Sequence, residues 1–283
     1  MTIEPSVIFG HPEKWDLFRK RHSLFFEKFP NLQKAIEIAF LRSFDTSPTD
    51  RVVFFSGKLC VEDFKEILLL CGNGYGYGIG AMKILRGMFE RAVTARYLHL
   101  HPGETSVFLD FYWVTEDKVE RKLVETYGKQ ILDGYPEREK QRQKTTEMRK
   151  QVKNQFVRKC KKCGYETPNF TWTTKDTVTM ANEVGLGKLV LSACSLPTQM
   201  AHSTVHAMQA RLKERQDGGL TFDENPSPNY ADMCLSVAHG LLLNILFLQQ
   251  EHFKIKELDQ LLQQCRTDLN EIIEQKQSST ATE

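Results

Sequence analysis

Hydrophobic positions recur at three- and four-residue spacing through most of the chain, the period of helices that bury one face. Pro12 suits the first position of a helix, and Trp15, Phe18, His22, Phe25 and Phe29 follow on one side. Pro30 is expected to end that helix and Asn31 to cap a second, with Leu32, Ala35, Ile36, Ala39 and Phe40 as its stripe. A turn-rich stretch, 45–50, leads to a third helix over 51–71, carrying Phe64, Ile67, Leu68 and Cys71 on one side. The glycine-rich run 72–80 breaks it, a fourth helix spans about 79–99, and Pro102-Gly103 stops that one.

A fifth helix over 104–127 repeats Phe108, Phe111, Tyr112, Thr115 and Val119. Beyond Gly134-Tyr135-Pro136 lies a long basic helix whose apolar seam is thin: Met148, Val152, Phe156 and Cys160. An irregular connector, 163–174, brings Tyr165, Phe170 and Trp172. A short helix then runs to Gly185; another is interrupted at Pro197 and continues over 198–215. After a polar loop, 217–228, two apolar helices cover about 230–250 and 254–274. Strand alternation is not sustained anywhere, and 51–55 is the only candidate strand. The expectation is an all-α fold: an irregular multi-helix bundle with one long basic helix and a glycine-rich helix-helix turn. It reads as one helical domain over 1–276, with a core at 51–210, a helical pair at 1–50, another at 229–276, and a disordered tail at 277–283.

Composition fits a globular chain, with 41% hydrophobic and 26% charged residues. Of seven cysteines, Cys60, Cys71, Cys194, Cys234 and Cys265 fall in apolar helical patterns, where a free thiol acts as a small hydrophobe. That excludes a secreted disulfide framework. The N-terminus lacks a signal-peptide layout. The most apolar stretch, 234–248, contains Ser236, His239, Gly240 and Asn244 and reads as too short and too polar for a bilayer of about 30 Å. A cytoplasmic protein without membrane contact is expected. The net charge of +2 hides an uneven distribution, since 138–162 holds 11 Lys/Arg against 2 Glu. Such a surface suits phosphates or acidic partners.

Candidate chemistry concentrates in a few places. The glycine run at 72–81 matches part of a dinucleotide fingerprint, but a helix and not a buried strand precedes it, so a helix-helix hinge is the better reading and no cofactor is assigned. In the fourth helix Met82, Leu85, Phe89 and Ala92 define an apolar arc, with Arg96 inside it and Arg86 and Glu90 at its edge, four residues apart. A guanidinium within an apolar arc needs a partner from another segment. His202 and His206 share one helical face in this reading. They are the leading distant partners, as acid/base groups or, with Glu90, as ligands of a divalent metal. Arg86, Glu90, Arg96, His202 and His206 are therefore the catalytic candidates. Cys160-Lys-Lys-Cys163-Gly is half a zinc knuckle with no second Cys/His pair following it, so no metal site is assigned unless the His pair or a second chain completes one. Arg142, Lys150, Lys153, Arg158 and Lys159, with aromatic residues around them, are candidates for nucleic-acid contact, and RNA is the expected partner. The glycine hinge and an exposed apolar seam at 254–274 would suit a homo-oligomer, although a core helix explains both equally.

The segments LCVEDFKEILLLCGNGYGYGIGAMKILRGMFERAVTARYLH (59–99), MANEVGL (180–186) and AHSTVH (201–206) resemble bacterial all-helical proteins grouped as a family of unknown function. An Arg/Glu-rich helix followed about a hundred residues later by a histidine near Ser/Thr is also loosely similar to HEPN-type helical ribonucleases. That resemblance implies metal-independent RNA cleavage by an Arg and a His. Those enzymes carry the pair four to six residues apart on one helix; here Arg96 and His99 are closer than that, Arg91 and His99 farther, and no Arg precedes His202 at that spacing. Three readings follow: a phosphodiester site acting on RNA, a non-catalytic interaction module using the basic helix, and a divalent-metal site.

Overall fold

A computed structural model describes residues 12–41, 47–72, 77–131, 136–160, 162–202, 204–222 and 228–280. The fold is all-α, with α1 Pro12–Arg21, α2 Ser23–Phe40, α3 Pro48–Gly72, α4 Gly78–Leu100, α5 Thr105–Tyr127, α6 Pro136–Val152, α7 Thr177–Glu183, α8 Leu196–Ala201, α9 Val205–Gln209, α10 Pro228–Phe253 and α11 Asp259–Thr280. Two short antiparallel hairpins interrupt the helices: β1 Val157–Lys159 with β2 Glu166–Pro168, and β3 Leu212–Glu214 with β4 Leu220–Phe222. The helical body expected over 1–276 divides into two compact units, Met1–Leu100 with Thr177–Glu283, and His101–Asp176.

In the first unit α4 is the central helix, packed against both α3 and α10. Met82, Leu85, Met88, Phe89, Val93 and Tyr97 are fully buried along it, and Leu241, Leu242 and Leu246 answer from α10. At about 1.5–3 kcal/mol for each large side chain removed from water, this contact dominates the unit. Burial of an apolar face likewise overrides local propensity at Pro30, which lies inside α2 and does not end it. Losing one amide bond and crowding the preceding turn costs about 3 kcal/mol. Phe25, Leu32, Ala35, Ala39 and Phe40 all bury on the single face that results. The break falls at His22 instead (φ −110°, ψ 29°), and Asn31 Nδ2 donates to Asp268 Oδ2 across to α11 at 2.9 Å, where a cap was expected.

Helix α3 starts at Pro48, earlier than the apolar pattern suggests, because Ser47 and Asp50 form a reciprocal cap. Ser47 N donates to Asp50 Oδ2 at 2.9 Å and Asp50 N to Ser47 Oγ at 3.2 Å. The candidate strand at 51–55 is therefore helix. The helix expected over 198–215 is α8, an extended His202, α9 and the strand β3. Thr204 causes the interruption: its hydroxyl accepts from Ala207 N at 3.1 Å and donates to Gln199 O at 2.8 Å, giving the backbone a cap in place of a continuous turn.

The apolar helix near 234–248 is longer than expected. Helix α10 has 26 residues, and by length and composition it would pass as a membrane span, with mean hydropathy 1.7 over its best window. Most of that window is buried inside the unit, as in a core helix. The seam of α11 is likewise core and not an exposed face: Leu262, Cys265 and Ile272 are buried, with Ile255 and Leu258 just before them. The tail expected from 277 is helical as far as Thr280.

In the second unit α5 and α6 lie side by side, and the core is small: Val114, Val152 and Phe156, flanked by Val107, Phe111 and Trp113. The basic helix is shorter than expected because Val152 ends it. Phe156 turns inward against Phe111, ring centroids 5.3 Å apart, and Val157 begins a strand, so Cys160 leaves the seam and stands exposed at a hairpin tip.

Candidate functional site

Helix α4 is buried over much of its surface, and its basic side chains emerge on different sides of it to meet several segments. Arg86 Nε donates to Glu90 Oε1 at 3.0 Å, and Arg86 Nη1 lies 3.5 Å from His202 Nε2. Arg91 pairs with Asp63 of α3. Burial pushes the Asp63 carboxyl above its ordinary range, and the Arg91 guanidinium offsets only part of that shift. Arg96 Nε donates to the Val184 carbonyl at 3.2 Å, just past the C-terminus of α7, where a cation also faces the negative end of the helix dipole. At the end of α4, His99 Nδ1 meets His252 Nδ1 at 2.8 Å, and His252 Nε2 meets Asp50 Oδ1 at 2.8 Å.

The expected five-residue cluster therefore separates. Arg86, Glu90 and His202 come together; Arg96 does not join them, because ten residues of helix put it roughly 15 Å further along the axis. Its partner is a backbone carbonyl and neither histidine. His206 sits on α9 while His202 follows α8 in extended conformation (φ −102°, ψ 160°), so the two imidazoles share no helical face. Both are exposed. Among the described residues no group of three or more His, Cys, Asp or Glu side chains is arranged to hold a metal ion. The reading of His202, His206 and Glu90 as ligands of one metal thus loses its geometry.

The segment facing Arg86 and Glu90 has a local irregularity that apolar periodicity does not reveal. Leu191–Ser195 forms a single π turn, closed by Leu196 N donating to Leu191 O. Pro197 explains it, since a wider turn relieves the clash between the proline ring and the carbonyl four residues earlier. Cys194 lies in this turn, within the fields of Arg86 and Glu90. Burial raises its thiol above the ordinary value, Glu90 adds to that, and Arg86 and the Thr198 hydrogen bond act against it. Asp63 and Cys194 were missed as site residues. Asp63 had a signal: it sits between Cys60, Phe64 and Ile67 on the buried arc of α3, where a carboxylate requires a partner.

In the second unit the basic candidates differ from one another. Arg142 Nε lies 2.6 Å from Glu120 Oε1, and Lys159 Nζ lies 3.0 Å from Glu166 Oε1, so part of their charge is neutralised. Lys150 is exposed on α6; the Lys153 side chain lies outside the described residues. Arg158 stacks over Phe170 at 5.4 Å from the ring centroid, and Lys118 approaches the same ring at 5.6 Å. Phe170 is 77% exposed. At the hairpin tip the amides of Cys163 and Lys162 and the Cys163 thiol hydrogen-bond to the Cys160 sulfur.

The model of a family of unknown function, DUF5677, matches residues 52–220. The chain belongs to that family. The match includes α4, His202 and the whole second unit, and it ends before α10 and α11. No curated protein matches the chain, and no solved structure does.

Proposed function

We propose that the protein is an RNA-directed phosphodiesterase whose reacting groups are Arg86 and His202, with Glu90 orienting the arginine. The observation that carries the reading is the approach of Arg86 Nη1 to His202 Nε2 across 116 positions of sequence. Arginine presents a planar fork of donors matched to phosphate oxygens, and an imidazole transfers protons near neutrality. In this scheme Arg86 holds the non-bridging oxygens and His202 Nε2 takes the proton of a ribose 2′-hydroxyl. The 2′-oxygen attacks phosphorus to close a 2′,3′-cyclic phosphate, the P–O5′ bond breaks, the departing 5′-oxygen takes a proton from water, and the hydroxide left takes the proton held on His202. The scheme supplies an Arg and a His from two elements, where HEPN-type ribonucleases use one helix.

A ribonuclease assay on purified protein, with and without chelator, tests it. Wild-type protein is expected to cleave single-stranded RNA in both conditions and to leave the matching DNA intact. His202→Ala and Arg86→Ala are expected to lose at least a hundredfold in rate. Intact RNA with wild-type protein would remove the reading.

One observation favours a second, non-catalytic reading. Phe170 stands exposed against Arg158 and Lys118, and Tyr165 is exposed on the same hairpin, a combination suited to stacking unpaired bases beside a phosphate backbone. Under that reading the protein binds RNA through its 101–176 unit without cutting it. Phe170→Ala and Arg158→Ala would then weaken RNA binding about tenfold each, while His202→Ala would leave it unchanged.

A further inference from the structure

The hairpin joining β1 to β2 has a feature that neither an RNA-binding surface nor a phosphodiester site requires. Its tip is Cys160-Lys161-Lys162-Cys163-Gly164. The register is set by Lys159 opposite Glu166, and the turn is closed by Cys160 N donating to Tyr165 O at 2.8 Å and Gly164 N donating to Cys160 O at 2.9 Å. Gly164 adopts φ +71°, which reverses the chain just after the second cysteine and favours glycine there. Both thiols are exposed and both are free. The turn brings the amides of Lys162 and Cys163 onto the Cys160 sulfur. Donors on a sulfur that itself needs no partner are the arrangement that supports a metal thiolate.

We propose that Cys160 and Cys163 form a bidentate thiolate half-site for zinc, completed to four sulfurs by the same hairpin of a second copy of the chain. Several observations converge on a second copy. A structural zinc takes four ligands in a tetrahedron, and this hairpin supplies two. His101 is the only other His or Cys in 101–176, and among the described residues no third metal-ligating side chain joins the pair. The tip is open: a Cβ added at Gly164 would meet nothing within 4 Å, so another hairpin can approach without displacing structure. Charge explains why the metal is required. Arg158, Lys159, Lys161 and Lys162 adjoin the two cysteines in the sequence, and Glu166, paired with Lys159, is the nearest acid along this hairpin, so two such segments repel each other in the thiol form. Ligation releases one proton from each of four thiols, and the resulting dianionic zinc tetrathiolate offsets the repulsion from both sides. The exposed Tyr165, 70% accessible beside the tip, supplies apolar surface for the contact.

The test uses the full chain, reduced and stripped with chelator, then titrated with zinc or with cobalt as a coloured substitute. The expected result is one metal per two chains, the intense charge-transfer and visible bands of tetrahedral cobalt thiolate, and a change from monomer to dimer by light scattering that chelator reverses. Cys160→Ser and Cys163→Ser should each abolish the dimer and the tetrathiolate bands while the helical circular dichroism is retained. One metal per chain with no change in mass would overturn the shared site. So would a metal-dependent dimer that survives Cys163→Ser, or the absence of any metal binding under reducing conditions.

Discussion

Helices α4 and α6 both carry arginines and glutamates, yet they use them in opposite ways. Eleven residues of α4 are buried, and its basic side chains meet segments far away in sequence: Arg86 with His202, Arg91 with Asp63, Arg96 with Val184, His99 with His252. On α6 few positions are buried, Thr145 and Val152 among them, and its arginines pair with the neighbouring α5 or within the helix, as Arg142 does with Glu120 and Glu139. A charge that emerges from a buried helix is fixed by the packing around it and becomes a tether between elements. A charge on a solvated helix is held by little except its partner, and its pairing contributes little to stability. The first arrangement builds precise geometry, and the second builds a field.

The most forceful way to break this comparison is to remove a large buried aromatic ring from each core. Phe89 on α4 and Phe156 after α6 are 0% and 1% exposed. Phe89→Ala is expected to cost about 3–5 kcal/mol and to lower protection from hydrogen exchange in the helices α2, α3, α4, α10 and α11. Phe156→Ala removes the centre of a three-residue cluster, so its effect should be confined to 101–176, with amide protection in α3, α4 and α10 unchanged. Equal loss of protection everywhere in both variants would show one cooperative unit and erase the distinction.

The helices could be read from residue spacing, although the division between units could not, since one domain with a core at 51–210 was expected. The apolar periods located α3, α4, α5 and α10 to within about three residues and α11 five or six residues early, since burial of large side chains decides those helices. Where short-range hydrogen bonds decide, periodicity misled: Thr204 stops a helix by capping the next, and Gly164 turns a helical-looking seam into a hairpin. Pro30 shows the opposite error, a strong local signal overruled by the face that α2 buries. For the site, the edge pair Arg86 and Glu90 was legible because i,i+4 spacing is a property of one helix. The carbonyl partner of Arg96 was not, because backbone acceptors carry no residue signature.

An intermediate test concerns the tether at the far end of α4. Burial alone would raise the Asp50 carboxyl, but the Ser47 amide, His252 and the Ser47 hydroxyl together hold it below its ordinary range. Its ionised form therefore contributes stability that is fully present above the ordinary carboxylate value of about 3.9 and is lost as pH falls through the lower folded value. His252→Ala, which also deprives His99 of one of its two partners, should cost about 1–3 kcal/mol at pH 7. Asp50→Asn should cost about 1 kcal/mol there, and its deficit relative to wild type should vanish in denaturant melts carried well below pH 3.9. A deficit that stayed constant down to that acidity would place the effect in packing and not in charge.

The smallest expected effect is the most diagnostic of the solvated helix. Arg142 is 37% exposed and reaches Glu120 at 2.6 Å, short enough to suggest a strong tie if distance alone were considered. Water and salt screen such a pair, and ordering two long side chains offsets much of what remains, so Arg142→Ala should change stability by no more than about 1 kcal/mol. Burial already raises the Glu120 carboxyl, and Arg142 is the group that opposes this; without it the carboxyl should titrate higher still. The variant should therefore lose slightly more stability near neutral pH than in acid strong enough to protonate Glu120, which then needs no cation. A loss of several kcal/mol, insensitive to salt, would mean that α6 is tethered as α4 is, and the contrast between a helix that fixes geometry and one that provides a field would fail.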